Sequence, residues 1–375
     1  MTFSEFKENN LENSQLCRQM ERIAHRLSAW YKEHRRDLPF RQTRDPYRIW
    51  VSEIILQQTR MEQGLDYYTR FVGRFPDVAA LAGAAPDDVM KVWQGLGYYS
   101  RARNMQAAAR KILEQYGGQF PSTYDGLLAL PGIGPYTAAA IASVCFDEPT
   151  PVVDGNVIRF LARLYGMDLP TDSAAGKKAV HELAMGLIDS RHPGDSNQAL
   201  IEFGALYCKP RNPDCPRCIF SRECVAFRTD RVGKLPVKSA KTAGTPRHFN
   251  YLVVRYRSRN AVFFFLKKRE ENDIWKGLYE FPLIETAGPV SVAKLVQSAE
   301  WKRLFKGTGA ELTGTGKVVK HQLSHRVIHA RFFEVNLQKP LKGDYVKVRL
   351  QDLEQFPVSR LMELYSLTTK ARRHD

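Results

Sequence analysis

The sequence predicts a multidomain protein in which an all-α region precedes a smaller α/β region. Three observations carry this. At 375 residues the chain is longer than a single core usually organises. Up to about residue 227 apolar residues recur at helical spacing, whereas beyond 249 short β-rich runs take over, one of them alternating Ile328, Ala330 and Phe332 against basic and polar neighbours. Between the two, residues 228–248 (RTDRVGKLPVKSAKTAGTPRH) are basic and punctuated by Pro and Gly, as a linker is. The expected domains are 1–227 and 249–368, joined by 228–248.

Charge narrows the function classes. Lys and Arg exceed Asp and Glu by 16, which favours an anionic partner, nucleic acid first. A membrane surface is the competitor, but no apolar run approaches a spanning helix and the polar start MTFSEFKENN does not read as a signal peptide. The expectation is a soluble, monomeric protein of the cytoplasm, associated with the nucleoid in a bacterium.

Residues 1–20 are polar and read as frayed. A first helix follows over 21–31, with Ile23, Leu27 and Trp30 on one face. The basic stretch 34–44 carries Phe40 beside Arg41, a mixture suited to stacking and phosphate contact. Asp45 and Pro46 read as cap and first residue of a helix over 47–59. Glu53 is its only acid and shares a stripe with Trp50 and Leu56, so burial is expected to raise its pKa. The structural alternative is a Glu that snorkels or pairs with an arginine. Gln57, Gln58, Thr59 and Arg60 then form a polar cluster able to reach a base edge or phosphate. Helices are expected over 64–75, 87–93 and 101–116, interrupted by GLGYYSR at 95–101, whose tyrosines can wedge between bases or simply pack.

The central stretch is LPGIGPYTAAAIASVCFDEPTPVVDGN, residues 130–156. Gly132 and Gly134 force a tight turn between two helices and Pro135 opens the second, giving a helix-hairpin-helix. Its backbone N–H groups converge near a helix N-terminus, a cradle for a DNA phosphate. One helix later Asp154 arrives at the start of a further helix over 157–165, where an ordinary N-cap is the alternative reading. Helices over 174–190 and 199–207 complete the region.

Six cysteines are unevenly placed, with Cys208, Cys215, Cys218 and Cys224 spaced C-x6-C-x2-C-x5-C. Disulfides suit a reducing compartment poorly. Zinc usually takes paired C-x2-4-C units, and only one such pair is present, whereas a cubane iron-sulfur cluster accepts uneven spacing; zinc remains the alternative on spacing alone.

LPGIGPYTAAAI, VVDGNV and the cysteine loop together resemble the helix-hairpin-helix DNA glycosylases that carry a [4Fe-4S] cluster. With WVSEIILQQTR, GLGYYSR and LIEFGAL the resemblance sharpens to the MutY-type adenine DNA glycosylases and covers the chain from about residue 21. It implies removal of adenine mispaired with 8-oxoguanine in duplex DNA. Glu53 matches the catalytic acid and Asp154 the carboxylate that stabilises or captures the sugar cation. Tyr136, Asn156 and Glu202 match further pocket residues. Gln58 and Tyr98 match side chains that enter the duplex, with Arg41, Leu56, Thr59, Gly132 and Gly134 as other DNA- or base-contacting positions. Cys208, Cys215, Cys218 and Cys224 match the ligands of the cluster.

The chemistry fits these residue types. Adenine leaves only if its ring is protonated, which a neutral Glu53 supplies, and an ionised Asp154 opposes the oxocarbenium-like sugar. In the endonuclease III branch a lysine stands where this chain has Tyr136, and a tyrosine cannot form a Schiff base, so base removal by water without lyase activity is implied. A thymine-lesion glycosylase/lyase and a non-catalytic cluster-bearing DNA-binding protein are the alternatives.

The C-terminal region resembles the family's Nudix-like domain through WKGLYEFP and FPVSR. It has no R-E-x-x-E-E helix for Mg2+, so hydrolysis is not expected. The family's lesion-reading Phe-Ser-His loop corresponds to Leu323, Ser324 and His325, preceded by His321; Leu323 makes a smaller wedge. Phe40 likewise stands where relatives commonly carry Trp, which keeps the ring and loses the indole donor.

Overall fold

Helical periodicity becomes twelve helices before the first strand in the computed structural model, which describes residues 10–239, 245–258, 261–323 and 326–371, with side chains over 17–365. They are α1 (Asn10–His34), α2 (Pro46–Leu56), α3 (Met61–Arg74), α4 (Val78–Gly83), α5 (Pro86–Trp93) and α6 (Ser100–Tyr116), with a 3-10 turn at Pro39–Arg41. Then come α7 (Tyr124–Leu128), α8 (Pro135–Phe146), α9 (Gly155–Tyr165), α10 (Ala174–Met185), α11 (Pro193–Leu206) and α12 (Val225–Arg228). The second region contains β1 (Thr245–Ser258), β2 (Ala261–Lys268), β3 (Tyr279–Glu280), β4 (Leu283–Thr286), α13 (Val292–Gln297) and α14 (Ala299–Leu304). It ends with β5 (Glu311–Thr315), β6 (Val319–Gln322), β7 (Arg326–Leu337), β8 (Val346–Arg349) and α15 (Arg360–Ala371).

Several bounds differ from the sequence expectation. α1 begins at Asn10, within the stretch read as frayed. α2 stops at Leu56 because Gln57 leaves helical ψ and Gln58 turns left-handed, a stop signalled by neither Gly nor Pro. Residues 316–318, read in sequence as part of a β-rich run over 316–319, instead connect β5 to β6, which starts at Val319. The stretch 228–239 is not a free linker. Leu235 is buried, Val237 accepts from the Thr171 amide at 3.0 Å, and Ser239 bonds Asp172.

By contacts the chain forms two units, Met1–Gly83 with Ala107–Ala240, and Ala84–Gln106 with Lys241–Asp375. The second therefore takes α5 and the start of α6, which the sequence reading placed with the helical region. Tyr279 donates to Asp87 at 3.0 Å and Arg103 to the carbonyl of Lys276 at 2.5 Å, while Lys268 pairs with Asp87.

The core of the first unit is aromatic. Phe203 of α11 meets Trp30 edge-on at 5.0 Å, Phe160 at 4.8 Å and Phe220 at 5.2 Å, tying α1, α9 and the cysteine loop to one helix. α2 and α8 pack antiparallel: Gln57 at the end of α2 bonds Thr137 at the start of α8, and Arg44, just before α2, bonds the carbonyl of Val144 near the end of α8. In the second unit the sheet runs β3-β2-β1-β7-β5, with β4, β6 and β8 attached to β1, β7 and β2. β1 and β7 are parallel over Thr245↔Arg326 to Tyr256↔Leu337. Both faces of β1 are covered, Phe249, Tyr251 and Val253 on one side and Leu252 and Val254 on the other, as a central strand requires.

Candidate active site and DNA-contacting residues

α2 carries Glu53 on a face that is buried from Ile49 to Ile55, leaving the residue 9% exposed. The Tyr136 hydroxyl donates to its carboxylate, and Arg41 and Asp154 are the charges nearest in effect. Burial raises the Glu53 pKa to about 7, the Tyr136 bond and Arg41 opposing and the Asp154 charge adding to it. Burial also keeps the Tyr136 phenol protonated far up the pH scale.

Asp154 caps α9. Its Oδ1 accepts from the amides of Asn156 and Val157, both at 2.8 Å, and its Oδ2 from the Asn156 side chain at 2.6 Å. The capping alternative is therefore realised, and it coexists with a place in the pocket. Burial raises the Asp154 pKa while these donors and Arg159 lower it. Asp154 has three donors where Glu53 has one, so a proton shared between the two acids rests on Glu53.

Glu53, Asp154, Tyr136 and Asn156 line one cavity of about 620 Å3, together with Arg41, Leu56, Gln58 and Thr59. That is the size range of small-molecule sites and has room for a purine nucleoside. Glu202 does not line it. The carboxylate is fully buried and faces Arg36, at 2.8 and 2.7 Å, and Arg41, at 2.6 Å, and those arginines form the wall. Burial would raise its pKa, but the guanidinium bonds prevail and bring it to about 2. Phe40 is buried edge-on against Tyr68 at 5.5 Å rather than offered as an open stacking surface.

Two residues outside the sequence reading set the geometry. Arg159 bonds Asn156 Oδ1 at 2.8 Å and the carbonyls of Cys208 and Gly204, linking pocket to cysteine loop. Its only sequence signal is the i+3 spacing from Asn156. Gly204 lets α11 approach, since a Cβ there would lie 2.5 Å from the Asn156 carbonyl.

In the hairpin, Gly132 needs its freedom at φ +74°, while Gly134 has φ −93° and a Cβ there would meet open space. Gly134 is the cap of α8 without a side-chain bond, so the first amides of that helix stay open to an anion. Gln58 is exposed at φ +57°, and Tyr98, in the second unit, is 47% exposed at φ +47°. Left-handed backbone at a non-glycine residue costs on the order of 1 kcal/mol.

His321 is half-buried beside Trp275, ring centroids 5.9 Å apart, and burial lowers its pKa. Leu323 packs on the cluster that contains Phe249 and Phe332 instead of standing out as a wedge. Ser324 and His325 lie outside the described residues.

Cys208, Cys215, Cys218 and Cys224 line one cavity with Phe160, Phe203 and Phe220. Among the described residues no group of three or more His, Cys, Asp or Glu is placed to hold a single metal ion. The donors here are thiols alone, which a cubane cluster takes and zinc also accepts. Arg163 adds to the fit. It is 4% exposed and bonds the Cys208 sulfur at 3.5 Å and, among the described residues, otherwise carbonyls, so a buried cation stands where four thiolates would bring negative charge.

Comparison with known proteins shows the family. Residues 51–184 match the HhH-GPD superfamily of base excision DNA repair proteins, and residues 250–366 match the NUDIX domain. An adenine DNA glycosylase of Buchnera aphidicola subsp. Schizaphis graminum is 32% identical over 310 residues, covering 82% of this chain and 86% of the relative. The Mus musculus and Homo sapiens adenine DNA glycosylases are 43% and 40% identical over 56% and 59% of this chain, and the match spans 42% of each relative's length. Among solved structures, a thermostable thymine-DNA glycosylase superposes with a TM-score of 0.53 at 29% identity, over 56% of this chain and 98% of that one. An endonuclease III–DNA complex, TM-score 0.50 at 22% identity over 57% of this chain and 98% of that one, shares the fold. With the Buchnera relative matched over nearly its whole length, the chain belongs to the adenine DNA glycosylase family.

Proposed function

We propose that the protein is a monofunctional DNA glycosylase that hydrolyses the N-glycosidic bond of adenine opposite 8-oxoguanine in duplex DNA. The observation that carries this is the common cavity of Glu53 and Asp154, a neutral acid and a hydrogen-bonded carboxylate in unlike surroundings. An everted adenosine places its purine against Glu53, which donates a proton to the ring as the C1′–N9 bond breaks and the electron pair leaves with the base. Asp154 opposes the positive charge on the deoxyribose, and water adds to C1′ while its proton returns to Glu53. Tyr136 donates to Glu53 and has no amine, so no Schiff base forms.

Cys208, Cys215, Cys218 and Cys224 would hold a [4Fe-4S] cluster, which when bound fixes the loop as a structural, redox-capable centre. The loop carries Lys209, Arg211, Arg217 and Arg222 for phosphate contact. His321, Leu323, Ser324 and His325 are assigned to reading the oxidised base, and duplex DNA is the partner of a monomer in the cytoplasm. The test is single-turnover base release from A:8-oxoguanine, A:G and thymine-glycol duplexes. Preference for the first, with no borohydride cross-link to DNA, supports the reading; thymine-glycol release with a cross-link overturns it.

A further inference from the structure

A second cavity, of about 210 Å3, also reaches Glu53. It shares Phe40, Arg41, Glu53 and Gln198 with the first cavity and lies at the other end of the α2/α8 pair. The first cavity is bounded by Leu56 and Gln57 at the end of α2 and Tyr136 at the start of α8. The second is bounded by Ile49 and Ser52 toward the start of α2 and by Ser143, Val144 and Asp147 at the end of α8. From Tyr136 to Val144 the axial rise is about 12 Å at ~1.5 Å per residue. The DNA-facing hairpin and Gln58 sit at the first end. The second mouth is lined by exposed Arg35, Arg44, His192 and Asp195, at the far end of the pair from the hairpin.

The space is polar and large enough for several waters. Arg41 Nε, in the wall common to both cavities, is buried with no hydrogen-bond partner among the described residues, the situation a bound water resolves.

Resting on the proposed function, we infer that this second cavity is a solvent passage that keeps Glu53 in proton exchange with bulk water while DNA covers the front pocket. A proton from water or buffer goes onto a Glu53 oxygen, and nothing is oxidised or reduced. The need is plain from the acid itself. With a pKa of about 7, many complexes form with Glu53 ionised, and a sealed site would hold them inactive until the DNA left. The charged and titratable groups facing Glu53 are Tyr136 of α8, Asp154 at the head of α9 and Arg41 of the 3-10 turn. Across the second cavity stand Tyr31 of α1 and Asp195 of α11, with Arg44 held by Asp147 at the mouth.

The experiment is a pH jump on the preformed complex. Excess protein is bound to an A:8-oxoguanine duplex at pH 9, where about one Glu53 in a hundred keeps its proton. It is then brought to pH 6.5 together with a large excess of unlabelled duplex that captures any protein released. An open passage gives nearly full excision at the rate seen at constant pH 6.5; the fast amplitude of a sealed site is about one part in a hundred. His192→Trp and Thr43→Trp are chosen as plugs at the rim, outside the residues assigned to catalysis. In whichever plug keeps the constant-pH rate, the jump amplitude is expected to collapse. No burst in the unmodified protein, or a full burst in a plugged variant, overturns the inference. Absence of excision at constant pH 6.5 instead removes the proposed function.

Discussion

Asp154→Asn separates the two jobs that Asp154 holds in this structure. The asparagine oxygen can still accept from the amides of Asn156 and Val157, now bonded at 2.8 Å, so α9 keeps its cap. Its amide, however, would face the Asn156 amide across the present 2.6 Å bond, and Asn156 is held in orientation by Arg159. One hydrogen bond is lost and a buried carboxylate is neutralised; the two effects oppose, leaving stability within about 1 kcal/mol of the unmodified protein. Asp154→Ala removes the cap as well and should cost about 1–2 kcal/mol. The chemical step suffers in both, because the charge opposite the sugar cation is gone: on the order of 100- to 1,000-fold in the single-turnover rate, about 3–4 kcal/mol. Urea denaturation gives the first quantity and quenched excision of adenine the second. Excision by Asp154→Asn within tenfold of the unmodified rate, with Asp154→Ala slow and unstable, would reduce Asp154 to a cap.

The single-turnover rate should fall tenfold per pH unit above about 7, since the protonated form of Glu53 is the active one; a flat profile between pH 7 and 9 would refute this. The same raised pKa carries a stability penalty. Folded protein keeps this proton up to about pH 7 while unfolded chain releases it near 4.5, so stability declines across that window. Glu53→Gln should accordingly be more stable at pH 8 by up to about 3 kcal/mol, with no gain at pH 4, by urea titration at both values. Glu202→Gln should lose about 3–5 kcal/mol, because Arg36 and Arg41 are left without their buried counter-charge; an unchanged denaturation midpoint would contradict the pairing. Replacing Cys218 with Ala should abolish the brown colour expected of purified protein and weaken duplex binding, and a colourless, fully binding unmodified protein would exclude the cluster.

The hairpin, the cap at Asp45 and the Asp154 turn were legible in the sequence because Gly, Pro and Asp act on their immediate neighbours. The cysteine set was legible for the same reason of short spacing. Glu53 was readable as a buried acid from its apolar stripe, whereas its pairing with Asp154, which arrives from a helix a hundred residues on, came from the family resemblance and from no local pattern. Glu202 shows the limit most clearly. Its partners Arg36 and Arg41 are 166 and 161 residues away, and no local pattern told a pocket acid from one that orients the pocket's arginines. α5 and the start of α6 join the sheet-containing unit through scattered bonds from Asp87, Gln94, Tyr99 and Arg103, which carry no periodicity.

The mechanism depends on a protonated Glu53 set against an everted adenine. Single-turnover release of adenine from an A:8-oxoguanine duplex by Glu53→Gln, at pH 6.5 and saturating protein, addresses this most directly. A loss of about 100- to 10,000-fold with duplex binding intact is the expected result. Adenine released at the unmodified rate would show that the proton comes from elsewhere.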